Sequence, residues 1–221
     1  MTGTKTRARN RRGEGGRLRT DIIRAAAELL DGGDAAITLR EVARRVGISS
    51  PSIYAHFPDR EAIVFAVVEV TFAALREELE AALERAGTDP ADRLRALCAA
   101  YLDFSRRQPE RYRVLFGGLW RARQTDLNPV EEGVPGVGSD VFMLLVEVLE
   151  ACRAAGRSRS TDPFADAAAL WAALHGFAEL RAAAPVFPWP ADLLERLVER
   201  LALLTDGPEG AATAHGDLPN T

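Results

Sequence analysis

Between Thr38 and Arg60 the chain gathers side chains that donate hydrogen bonds to anions and base edges: Thr38, Arg40, Ser49, Ser50, Ser52, Tyr54, His56 and Arg60. Hydroxyls, a phenol, an imidazole and guanidinium groups at this density fit contact with phosphate oxygens and groove-facing bases. Groups that break bonds do not converge in the same way. The histidines His56, His175 and His215 stand far apart, and there is no H-E-x-x-H and no nucleophile elbow. No enzyme activity, cofactor or metal site is therefore expected. Cys98 and Cys152 lack C-x-x-C spacing and are expected as reduced core thiols, not as a disulfide or metal pair.

Two short helices must hold these donors. Thr38 and Glu41 have the S/T-x-x-E spacing of a capping box, and Val42, Ala43 and Val46 then recur on one face. Gly47 ends that helix where a left-handed residue is cheap, and Ile48 is expected in the angle between the helices. Ser49 or Ser50 can cap the second helix, with Pro51 in its first turn, and the residues to His56 make barely two turns. Pro58 stops it and Asp59 is a cap for the next. Ser50, Pro51, Ser52 and Ala55 give a small outward face that nothing bulky blocks. Ile53 and Phe57 are expected in the core, whereas Tyr54 and His56 are expected at DNA. This is the helix-turn-helix arrangement, which places one helix in the major groove.

The segment closely resembles the DNA-binding region of the tetracycline-repressor (TetR) family. That pattern runs Thr-hydrophobic-x-x-hydrophobic-Ala, Gly-hydrophobic-Ser, Leu-Tyr-x-His-Phe and a Lys-containing helix start. Thr38, Val42, Ala43, Gly47, Ile48, Ser49, Ile53, Tyr54, His56 and Phe57 match it; Ile53 replaces the usual Leu and Arg60 the usual Lys. The resemblance implies that Ser50, Pro51, Ser52 and Tyr54 face bases, that Thr38, Ser49, His56 and Arg60 hold phosphates, and Arg40 joins the DNA-facing set. Trp171-Ala172-Ala173-Leu174-His175-Gly176 also resembles the Trp-x-x-Leu-His-Gly sequence of one C-terminal subgroup of these regulators, the WHG subgroup.

The charge distribution agrees. The chain of 221 residues has a formal net charge of -4, yet residues 1–60 carry 12 Lys and Arg against 7 Asp and Glu, and the remainder 16 against 25. A basic end on an acidic body orients the encounter with DNA and makes affinity fall with salt. Lys5, Arg7, Arg9, Arg11, Arg12, Arg17 and Arg19 lie among Gly, Thr and Asn with little to bury. Residues 1–16 are expected to form a disordered arm that lies along phosphates or in the minor groove, or else to be a solubilising tail.

Helical periodicity continues through the rest, so the fold class expected is all-α. It comprises a three-helix DNA-binding head over residues 17–62, a helical effector-binding and dimerisation bundle over 63–205, and a disordered tail over 206–221. Gly- and Pro-rich residues 117–138 are expected as a mobile loop, with Ser139 or Asp140 capping the following helix and Pro190 opening the last. Leu170, Leu174 and Phe177 on the penultimate helix and Leu194, Leu197 and Leu201 on the last are expected at a homodimer interface. Tyr101, Phe104, Tyr112, Phe116, Trp120, Met143, Trp171 and His175 are candidates to line a pocket for an unidentified small-molecule effector. With no bilayer-length apolar run and no apolar stretch behind the N-terminal charge, a cytoplasmic location is expected. The partners expected are double-stranded operator DNA, a second copy of the chain and the effector. The resemblance implies a repressor released by ligand; a dimeric adaptor or activator of the same fold is the alternative.

Overall fold

Aspartate and proline set where several helices begin. Asp89 Oδ1 accepts from the Ala91 and Asp92 amides at 2.8 and 3.2 Å, and Asp162 Oδ1 from the Ala165 amide at 3.1 Å. Pro90 and Pro163 occupy first helical positions, where no amide donor is needed. Asp59 does the same for the longest helix, accepting from Ala62 at 2.7 Å. A computed structural model describes residues 14–31, 37–116 and 136–206. Among the described residues the helices are α1 (Glu14–Asp31), α2 (Leu39–Val46), α3 (Ser50–Tyr54), α4 (Arg60–Arg85), α5 (Pro90–Arg107), α6 (Pro109–Phe116), α7 (Ser139–Ala154), α8 (Pro163–Ala183) and α9 (Leu193–Leu201). Their strand-like pairing is limited to an isolated bridge between Ser158 and Leu204. The all-α class is as expected.

The chain divides into two compact units, Met1–Thr71 with Glu110–Leu127, and Phe72–Pro109 with Asn128–Thr221. The first is built on Ile22, Ala26 and Leu30 of α1, Val42 and Ala43 of α2, Ile53 and Phe57 around α3, and Ile63, Val64 and Val67 of α4, all buried. Because α4 commits its first turns to this core, the division into compact units falls after Thr71. The Tyr112, Val114 and Leu115 side chains of α6 are also buried, and α6 from Glu110 joins the first unit, not the body. At the N-terminus α1 begins at Glu14, so the last residues of the expected arm are helical. Residues 1–13, 117–135 and 207–221, which hold most of the expected arm, loop and tail, lie outside the described residues.

The second unit buries Leu75, Leu79 and Leu83 of α4, Leu94, Leu97 and Phe104 of α5, Leu145 and Leu149 of α7, and Leu170 and Leu174 of α8. Full burial of each such side chain contributes about 1.5–3 kcal/mol. Cys98 and Cys152 are free and buried in the same core. Burial, and then the neighbouring Cys152, push the Cys98 thiol up to about 12, and burial pushes Cys152 up to about 11. Both stay protonated, which makes them packing groups and not nucleophiles.

Two boundaries differ from expectation. Pro190 precedes α9 by a turn and the helix itself starts at Leu193. Its far end is fastened by the bridge: Arg159 N–H donates to the Leu203 carbonyl at 3.0 Å, Thr205 N–H to the Arg157 carbonyl at 3.0 Å, and the Ser158 hydroxyl to the Ala202 carbonyl at 2.6 Å. At α7 the cap is Gly138, with φ 83°, and neither Ser139 nor Asp140 caps by side chain. Asp140 instead pairs with Arg76 at 3.1 Å. A Cβ at Gly138 would lie 2.6 Å from the buried Phe72 ring. Gly138→Ala is therefore expected to cost about 2–4 kcal/mol, from left-handed strain and overpacking together. Urea unfolding checks this, and Phe72→Leu in the same chain should recover part of the loss by making room.

Candidate DNA-binding site

The capping box at α2 forms in full. Glu41 N–H donates to Thr38 Oγ1 at 3.2 Å, while the Thr38 amide and hydroxyl donate to Glu41 Oε2 at 3.0 and 2.7 Å. Those bonds, the hydroxyl's first, hold the Glu41 carboxyl below its ordinary range. Thr38 is exposed, but its one hydroxyl proton is given to Glu41. It positions α2, and a phosphate oxygen would find no free donor there.

Gly47, at φ 76°, ends α2 in the left-handed region. Its N–H donates to the Arg44 carbonyl at 3.2 Å and the Ile48 N–H to the Ala43 carbonyl at 3.0 Å, which is the Schellman pairing. The bend turns the chain directly into α3. That helix is shorter than expected, ending at Tyr54, and the chain closes with the His56 and Phe57 amides both on the Ile53 carbonyl, at 3.0 and 2.9 Å. Ile53 and Phe57 are buried, and the Arg19 guanidinium lies 5.0 Å from the Phe57 ring centroid. α3 is thus locked from behind by apolar packing.

Its other side is open. Pro51 and Ala55 are exposed, Ser50, Ser52 and His56 half-buried, and Tyr54 is 56% exposed. Ser49 adopts the cap position without a side-chain bond to a helix amide; its hydroxyl instead shares a 2.7 Å hydrogen bond with that of Ser52. Arg40 and Arg44 are exposed on α2, whereas Arg45 pairs with Glu28 of α1 at 2.9 Å. Sequence reasoning passed over Arg44, whose signal is its place in the last turn before Gly47. Arg60 is half-buried, and its Nε donates to the Ile37 carbonyl at 2.9 Å, tying α4 to the approach to α2. The structure thus brings Ser50, Pro51, Ser52 and Tyr54 together on one small exposed face and gives Thr38 and Arg60 bonds within the protein.

The other candidate sets disperse. Leu170 and Leu174 are 0% and 1% exposed within their own chain, so these side chains fill the body core and are not available to a second subunit, while Phe177 is largely buried but reaches the edge of a cleft. α8 is apolar on two sides, and the periodicity does not show which side faces inward. Leu194, Leu197 and Leu201 are half-buried and keep part of their surface. Of the expected pocket residues, Tyr112 and Phe116, with ring centroids 4.9 Å apart, belong to the first unit. Tyr101 and Phe104 are core side chains of the second. Met143 and Trp171 are 40% and 39% exposed, Trp171 lies 6.5 Å from the half-buried His175, and Trp120 is outside the described residues. Among the described residues no helix is long and apolar enough to cross a membrane.

Comparison with known proteins agrees with this geometry. The family model for bacterial regulatory proteins of the tetR family matches residues 22–67, and that for the tetracyclin repressor-like C-terminal domain matches residues 94–204. The chain is 34% identical over 95 residues to the HTH-type transcriptional activator FasR of Mycolicibacterium smegmatis, covering 43% of each chain. It is 32% identical over 101 residues to the nucleoid occlusion factor SlmA of Vibrio atlanticus, covering 45% of this chain and 51% of that one. The chain spans about half the length of the curated relatives it matches. A solved structure of a protein of unknown function from Rhodococcus sp. RHA1 superposes with a TM-score of 0.65 at 26% identity, covering 84% of this chain and 91% of that one. With both of its characteristic regions matched in order and a helix-turn-helix formed where the first one lies, the chain belongs to the TetR family of transcriptional regulators.

Proposed function

We propose that this protein is a cytoplasmic homodimer that binds a palindromic operator through α3 and is released from it by a small molecule, acting as a repressor. Helices α1–α3 with the first turns of α4 read the DNA, and the second unit dimerises and receives the effector. The observation that carries the reading is the face of α3: small and polar outward at Ser50, Pro51 and Ser52, with Tyr54 exposed beside it and Ile53 and Phe57 fixed behind. A helix this short contacts few base pairs, so two copies set about 34 Å apart are needed for specificity.

The dimer surface consistent with the burial pattern is the outer face of α8. Ala165, Ala169, Ala172 and Ala183 are exposed there at helical spacing, with Gly176 half-buried in the same row and Leu180 55% exposed beside it. Small side chains let two helices approach closely. An inducer that prefers the non-binding state about a hundredfold supplies about 2.7 kcal/mol, enough to empty a marginally occupied operator.

Gel shift on the DNA flanking the protein's own coding sequence tests this. The expected result is binding that persists over competitor DNA and loses about tenfold or more in affinity between 50 and 200 mM salt. Affinity no greater than for competitor DNA would contradict it and favour an adaptor of the same fold. FasR carries the name of an activator, and a reporter driven by the bound region separates the two signs: deletion of the regulator raises transcription if it represses and lowers it if it activates.

A further inference from the structure

Away from the helix-turn-helix, the second unit has an open cleft of about 650 Å³ between the C-terminal half of α5, the end of α8 and the segment leading to α9. Three rings meet there. The Phe177 and Trp189 centroids are 5.6 Å apart and those of Phe187 and Trp189 4.5 Å. Pro185, Pro188 and Pro190 fix φ along the connecting segment, and the Trp189 indole N–H donates to the Ala184 carbonyl at 3.1 Å. The aromatic wall is therefore held in place before any ligand arrives.

Its rim carries positive charge in a region that is otherwise acidic. Arg181 lies 5.2 Å from the Phe177 ring centroid and, among the described residues, forms no ion pair. Among the described residues Arg106 pairs with Asp103 alone, and Asp103 is shared with Arg107, each contact 2.5 Å. Arg107 has a second carboxylate in Glu78, outside the cleft lining, whereas Arg181 has a ring face alone. Among the cleft-lining residues Arg106 and Arg181 stand against Asp103, whereas residues 61–221 carry 16 Lys and Arg against 25 Asp and Glu. Guanidinium groups beside aromatic rings, at the edge of a cavity of ligand size, suit a flat apolar body bearing one anionic group.

We propose that this cleft binds a planar aromatic monoanion, a carboxylate or sulfonate, with its rings among Phe177, Phe187 and Trp189 and its charge on Arg181 and Arg106. The site is distinct from the expected effector pocket, since apart from Phe177 and Leu194 its lining includes no residue of the sequence-based sets. It stands whether or not occupancy changes DNA affinity.

The test uses the full chain, with 8-anilinonaphthalene-1-sulfonate as the anionic probe and N-phenyl-1-naphthylamine as its uncharged counterpart. Saturable binding of the anion on the order of 10 µM is expected. Arg106→Gln with Arg181→Gln should weaken the anion about tenfold or more while the neutral probe changes by less than about twofold, because only the charge contact is removed. Ala99→Trp, an exposed position of α5 that lines the cleft, should abolish binding of both. Anion affinity unchanged in either variant, equal losses for both probes on removing the arginines, or no saturable binding would each overturn the proposal. Gel shift on the same preparations keeps the outcomes apart: failure of the unmodified chain to bind DNA sinks the operator reading and leaves the probe titration to decide the cleft.

Discussion

Pro51→Glu is expected to weaken operator binding by about a hundredfold or more, about 2.7 kcal/mol, with the melting temperature nearly unchanged. Pro51 is exposed at the start of α3 and makes no backbone donation there. The substitution gives up about 0.4–1 kcal/mol of unfolded-state restriction. A carboxylate in a first helical turn restores about 0.3–1 kcal/mol through the helix dipole, so stability is close to neutral. At a groove the same charge faces phosphates and base-edge acceptors and must be desolvated against them. The two effects have opposite signs on fold and function, which makes this position more informative than an alanine. A gel shift titration with a parallel thermal melt checks it; unaltered affinity would remove α3 from the DNA-reading face.

The second large effect is expected at α8. Ala172→Arg should leave a folded chain that scatters light as a monomer at micromolar concentration and loses operator affinity with it. An exposed alanine-to-arginine change on a helix alters monomer stability by less than about 0.5 kcal/mol, whereas an unpaired guanidinium buried in each half of a symmetric interface costs about 3 kcal/mol or more. Leu174→Ala supplies the contrast. Leu174 is 1% exposed inside its own chain, so its truncation should cost about 2–5 kcal/mol of fold stability by opening a cavity. A dimer that survives Ala172→Arg at full affinity would place the interface elsewhere.

How much of this was legible in the sequence follows from how local each signal is. The capping box joins residues three apart, and the Schellman turn at Gly47 joins residues five apart, so residue type and spacing suffice to place them. The same holds for Asp59 as a cap. Gly138 was missed as the cap because the ring that leaves no room for a Cβ there, that of Phe72, is far away in sequence. The leucines of α8 mark the deeper limit: Leu170 and Leu174 point into the core while Phe164, Trp171 and Leu180 remain exposed. A helix apolar on both sides carries no record of which side its own chain will take. Arg60 shows the converse, since a polar residue at a family-typical position makes a bond to the Ile37 carbonyl that no local pattern separates from a phosphate contact.

Hydroxyl-radical footprinting of the protein on the DNA beside its own coding sequence tests the central claim most directly. Two copies of α3 presented by one dimer should protect two segments about 10 base pairs apart, or a multiple of this, related by an imperfect dyad, and Pro51→Glu should erase both together. A single protected segment, or protection that persists in Pro51→Glu, would contradict it.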